Sequence, residues 1–154
     1  MFKKLILVLA LMFSTTLFAG NGIYKVSVKE DFRSALHTLK KTLEDQNLFI
    51  ISKADISGTL ARMKGKLGKD YNKRGYTKAQ SIIFCNPFYA NDVLNLDPTM
   101  MALCPLKIML LEKNAKTTAL FVLPSYFSKR SPAKKVLKEV ENKVLKALKK
   151  AGFR

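Results

Sequence analysis

Between Ser81 and Leu111 the chain reads as strand, helix, strand, and both of its cysteines lie in that stretch. Ser81 to Phe84 is a short apolar run of strand type. It stops at Asn86-Pro87, a capping residue followed by a proline suited to a first helical turn. A helix starting there carries Tyr89, Ala90, Val93 and Leu96 on one side and ends at Asp97-Pro98, after which Leu106 to Leu111 reads as a second strand. Cys85 therefore closes one strand and Cys104 opens another. Any fold for this chain has to seat a helix between two strand ends that each carry a thiol.

The remaining elements follow from the same periodicities. Ile23 to Val28 reads as the first strand, and Phe32, Ala35, Leu36, Leu39 and Leu43 share one face of a helix from about Glu30 to Gln46. Leu48 to Ile51, with Lys53 and Asp55 beyond, reads as the second strand. Glu112 to Lys116 reads as a hairpin turn with Asn114 the residue best able to take a positive φ, and Thr117 to Leu123 as the fifth strand. Ser131-Pro132 begins a last helix in which Ala133, Val136, Leu137, Val140, Val144 and Leu148 share a face, and Gly152 can stop it. The order β-α-β-β-α-β-β-α predicts an α+β fold, an antiparallel sheet of about five strands packed against helices. The first and last helices have the clean apolar stripes, so they should cover the buried face of the sheet.

At the N-terminus, Lys3 and Lys4 precede nine apolar residues, Leu5 to Phe13, and then small and polar residues up to Ala19. A spanning helix needs about 20 apolar residues. The layout predicts a signal peptide over residues 1–19, with an uncleaved anchor as the alternative, and a single domain over residues 20–154 in the periplasm or secreted. The formal net charge is +17, of which Lys3 and Lys4 contribute two units. Such an excess favours anionic small ligands, acidic proteins or peripheral contact with an anionic membrane. The lysines are spread along the chain with no arginine cluster, so nucleic acid is not an expected partner.

One segment concentrates the charge. Ile56 to Lys78 holds four glycines, and from Arg62 to Lys78 there are seven basic residues against the single Asp70. Gly65-Lys66-Leu67-Gly68-Lys69-Asp70 fails as a phosphate loop, because the glycine spacing is wrong and no serine or threonine follows the lysine. A short helix around Thr59 to Met63 followed by a basic loop is the plain expectation. The functional one is that Lys66, Lys69, Lys73 and Arg74, with Tyr71 and Tyr76 interleaved, form a lid that gathers an anionic ligand. His37, the only histidine, falls off the apolar face of its helix and reads as a surface residue. Mixed cysteine-histidine zinc sites and serine-histidine triads therefore lack a necessary part.

Ile82-Ile83-Phe84-Cys85-Asn86-Pro87, then Leu96-Asp97-Pro98, then Leu103-Cys104-Pro105 before a Lys107 to Glu112 strand, resembles the family called domain of unknown function 302. A leading helix like Phe32 to Leu43 and the Leu60…Leu67-Gly68-Lys69-Asp70 segment extend the likeness over nearly all of residues 20–154. The resemblance implies an α+β fold with an antiparallel sheet and a homodimer; it carries over no catalytic residue. The chain departs from the usual pattern in its extra basic residues between Gly68 and Lys78 and in Pro105-Leu106-Lys107.

In an oxidising compartment, Cys85 and Cys104 are first of all candidates for a structural disulfide, whose loop of about 20 residues would stabilise by roughly 3 kcal/mol. Two free thiols are the second possibility. The third starts from the position of Cys85 before a helix N-terminus, where a thiolate with Cys104 as partner could exchange disulfides, carry sulfur, or ligate a soft metal or haem iron. Asn86, Pro87, Asp97, Pro98 and Pro105 are expected to support that site. Two function classes stay open: a non-enzymatic binding or accessory module with a groove between the Cys85 to Leu103 segment and the basic loop, and a thiol-dependent redox or carrier protein.

Overall fold

The computed structural model describes residues 21–154, so the expected signal peptide lies outside the described residues. The strands are β1 (Ile23–Val28), β2 (Phe49–Asp55), β3 (Lys78–Cys85), β4 (Leu106–Lys113) and β5 (Lys116–Val122). The helices are α1 (Phe32–Glu44), α2 (Ile56–Arg62), α3 (Lys64–Leu67), α4 (Pro87–Leu96), α5 (Pro124–Phe127) and α6 (Lys134–Lys150), with 3-10 turns at Gly68–Asp70 and Pro98–Leu103. The fold is α+β, as the sequence predicts, and the five strands pair antiparallel in the order β1-β5-β4-β3-β2.

Alternation along the strands decides which face is covered. Ile82 and Phe84 of β3, Ile108 and Leu110 of β4, Ala119 and Phe121 of β5 and Val26 of β1 are buried together with Ala35, Leu39 and Leu43 of α1. Val140, Val144, Ala147 and Leu148 of α6 complete this core. The two helices with apolar stripes are thus the two that cover the sheet. Burying one such side chain is worth about 1.5–3 kcal/mol, which is why the 13-residue α1 and the 17-residue α6 hold their places.

Local chemistry sets the element ends. Asp31 accepts from the backbone N–H groups of Arg33 and Ser34 and starts α1. Asn47 (φ +58) turns the chain into β2, and Gly152 (φ +86) follows α6. The β4–β5 turn is tighter than the five-residue turn expected at 112–116. Asn114 and Ala115 both take φ +52, the geometry of a two-residue turn matched to strand twist, so the strands continue to Lys113 and Lys116. The 56–78 segment is also more regular than expected. Asp55 accepts from the N–H of Gly58 and starts α2 directly after β2, and α3 and a 3-10 turn follow.

Candidate functional site

Strand register brings the two cysteines together. β3 and β4 are neighbours, and their ladder runs from Lys78 opposite Glu112 to Phe84 opposite Leu106. Cys85 lies one residue past the last rung and Cys104 two residues before it. At the end of β3, Asn86 leaves the strand in extended conformation. Its Oδ1 accepts from the N–H groups of Phe88 and Tyr89, at 2.9 and 3.2 Å, and Pro87 takes the first turn of α4. Asn86 Nδ2 also donates to the Asn47 carbonyl at 2.8 Å, tying the start of α4 to the α1–β2 turn.

α4 ends at Asp97, which caps the next turn. Its Oδ1 accepts from the Thr99 N–H and hydroxyl, and its Oδ2 accepts from the Ser131 hydroxyl at 2.5 Å. These hydrogen bonds, that from Ser131 first, hold the Asp97 carboxyl below the usual carboxylate range. Pro98 sits in the first turn of the 3-10 segment, and the chain returns to β4 through Cys104 and a cis Cys104-Pro105 peptide.

The sulfurs of Cys85 and Cys104 are 4.0 Å apart, in hydrogen-bond contact, and both thiols are free and half-buried. A disulfide bond is about 2.05 Å long, so the expected structural disulfide is not formed. The reason lies in the ladder: pairing fixes Cys85, opposite Phe49 of β2, but stops short of Cys104. Burial pushes the Cys104 thiol up to about 11, with the charge and hydrogen bond of Cys85 acting in the same direction. A thiol held so far above neutrality is a weak nucleophile.

Cys85 and Cys104 both line an apolar cavity of about 30 Å³, walled by Phe84, Val93, Met100, Leu103, Leu106 and Val140 among others. The space is narrow, admitting water-sized bodies rather than a flat macrocycle such as haem. The polar side chains of the wall are already engaged. Asn86 makes three hydrogen bonds. The Tyr89 hydroxyl donates to Glu139 at 2.5 Å, and its pKa is pushed up to about 12 by burial, that hydrogen bond and the Glu139 charge. What the wall offers a guest is hydrocarbon and sulfur. Pro105 faces a second depression behind Cys104, with Lys107, Val122 and Pro124.

The basic residues are elsewhere. They precede Lys78, at the opposite end of β3 from Cys85, and eight strand residues separate the two by about 23 Å. Among the described residues, the cavity at Cys85 and Cys104 is not lined by the basic loop, and the depression beside the loop is not lined by the Cys85 to Leu103 segment. Lys66, Lys69, Lys73 and Arg74 are exposed. Lys73 pairs with Asp70, and the Arg74 carbonyl accepts from Lys113 Nζ at 2.6 Å. Tyr71 stacks under Lys64, while Asn72 pins the Tyr76 backbone through two hydrogen bonds. Tyr71 and Tyr76 border a depression with Asp55, Leu60 and Lys78; the four expected lid cations do not line it. His37 is exposed.

The sequence pattern did not single out Met100, although its place three residues after a capping Asp-Pro put it on a defined face of the turn. Ser131 carries a local signal only for the start of the last helix, and Glu139 none; their links to the site are invisible in the pattern because their partners are 34 and 50 residues away.

A family model, "Domain of unknown function DUF302", matches residues 24–151. The chain belongs to the DUF302 family. A solved structure described as the crystal structure of an uncharacterized conserved protein DUF302 from Bacillus stearothermophilus superposes with a TM-score of 0.73 at 20% identity, covering 84% of this chain and 98% of that one. At that identity the likeness concerns the fold alone. No curated protein matches the chain. Within the DUF302 match fall both cysteines, the Asn86 and Asp97 caps and the whole cavity wall. No helix among the described residues is long and apolar enough to cross a membrane.

Proposed function

We propose that this DUF302 chain is an exported, non-enzymatic binding module that captures a small thiophilic guest through the Cys85/Cys104 dithiol. The observation that carries the reading is the pair of free thiols 4.0 Å apart on the wall of a narrow cavity whose other polar side chains are spent. Capture needs no preformed thiolate, because the guest displaces the thiol protons as it binds. Export is supported by the basic, apolar and small-residue layout of residues 1–19.

Arsenite provides the test. As(OH)3 and two thiols give an S–As–S bridge and two waters, with no oxidant required. The reduced protein should take up one arsenic per chain, read by native mass spectrometry, while Cys85→Ser and Cys104→Ser should take up none stably. Equal uptake by wild type and both variants, or no uptake by any, would remove the reading.

A further inference from the structure

The dimensions of the dithiol narrow the class of guest, and the inference rests on the capture reading above. Among the described residues, no three side chains of the His, Cys, Asp and Glu types converge on a common point. Structural zinc asks for four nitrogen or sulfur ligands, and calcium or magnesium for six or more oxygens, so neither kind of ion finds its donor set here. The cavity is lined by two cysteines whose sulfurs are 4.0 Å apart and, on the same wall, by Met100, a residue that carries a thioether. Thiolate and thioether donors without imidazole or carboxylate select soft ions, Cu(I) above all.

The spacing agrees. An ion bonded to both sulfurs at about 2.3 Å, the length of a thiolate bond to a d10 ion, would subtend about 120° across a separation of 4.0 Å. That is the angle of a trigonal centre rather than of a linear one, and it leaves one coordination position open. We infer that Cys85, Cys104 and Met100 form a three-sulfur site for a soft monovalent cation, Cu(I) or its congener Ag(I).

Binding is an exchange without electron transfer. One cuprous ion and two thiols give a bis-thiolate complex of charge −1 and two released protons, and Met100 adds a neutral donor. The surroundings of the sulfurs are largely apolar, and the formal charge of +17 on the whole chain offsets the single negative charge of the complex. The narrow cavity suits an ion better than an organic ligand.

The experiment is an anaerobic titration of the purified, reduced protein with Cu(I) buffered by bicinchoninate, repeated with Ag(I). One Cu(I) per chain is expected. Cys85→Ser and Cys104→Ser should each weaken binding by about a hundredfold or more, and Met100→Leu by about tenfold. X-ray absorption of the copper complex should show three sulfur neighbours in wild type and two in Met100→Leu. Iodoacetamide-blocked wild type serves as a second null, so a cysteine variant that fails to fold does not remove the test.

Failure to win copper from bicinchoninate, or binding equal to that of the blocked protein, would overturn the site. Two sulfur neighbours in wild type, with Met100→Leu unchanged, would overturn the trigonal assignment. If arsenite binds and Cu(I) does not, dithiol capture stands and the soft-cation inference falls. If neither binds, both fall.

Discussion

The two ends of β3 make opposite uses of polar groups. At the Cys85 end, Asn86, Tyr89 and Asp97 each satisfy a partner across a turn or between helices, and the cavity wall is packed hydrocarbon. At the Lys78 end, residues 61–70 are exposed throughout, and an ion pair there, Lys73 with Asp70, is open to water on both sides. The first arrangement depends on the tertiary structure and holds a defined geometry. The second is a solvated basic surface, where an exposed pair contributes about 0–1 kcal/mol. On the proposed reading, charge density is a poor guide to the site in this chain, and spent hydrogen bonds around unspent sulfur are the better one.

The difference can be broken first by size. Phe84→Ala, fully buried beside Cys85, should destabilise by about 3–5 kcal/mol. Replacing Lys66, Lys69, Lys73 and Arg74 together by alanine should stay within about 1 kcal/mol of wild type and leave arsenite uptake unchanged. Urea unfolding compares the two. If the loop variant lost as much as Phe84→Ala, the contrast between the ends would be wrong.

A smaller effect is expected at the cap. Asn86→Ala removes two accepted hydrogen bonds and the donor to Asn47, and should cost about 1–2 kcal/mol. It should also weaken arsenite capture, because the cap sets the direction in which α4 leaves Cys85. Loss of stability with unaltered capture would show that the sulfurs hold their spacing without the cap.

The smallest effect sharpens the electrostatics. A thiol whose folded pKa lies above its unfolded one keeps its proton longer in the native state. The native state then binds more protons, and stability falls as pH rises from the ordinary thiol range, about 8.5, toward about 11 for Cys104. Alkylation of Cys104 should accelerate with pH across that window. In Cys85→Ser the midpoint should move down, yet remain above the ordinary range, since burial is the larger cause. An unmoved midpoint would mean that the two sulfurs do not sense each other in solution.

Much of this was legible from one chain. The stripes of α1 and α6, the Asn86-Pro87 start of α4 and the positive φ of Asn114 are local signals, and each appears where the residues place it. The neighbouring of Cys85 and Cys104 followed from reading their two strands as partners. The missing bond did not, because side-chain placement beyond the last rung of a ladder leaves no trace in residue types. The expected groove between thiols and basic loop meets an obstacle of length: the loop enters β3 at Lys78, Cys85 closes it, and an eight-residue strand holds its ends apart. Met100, Glu139 and Ser131 entered the site only through packing between distant segments.

The irregular pairing of β2 has its own consequence. Phe49 and Ile51 are half exposed on a strand at the margin of the sheet, an arrangement that invites another chain to add itself there. Between Ile50 and Ser52 the register slips, with Ile51 the unmatched residue. The resulting kink interrupts the flat template that an incoming strand would need, so the margin resists growth into aggregates although its side chains are apolar.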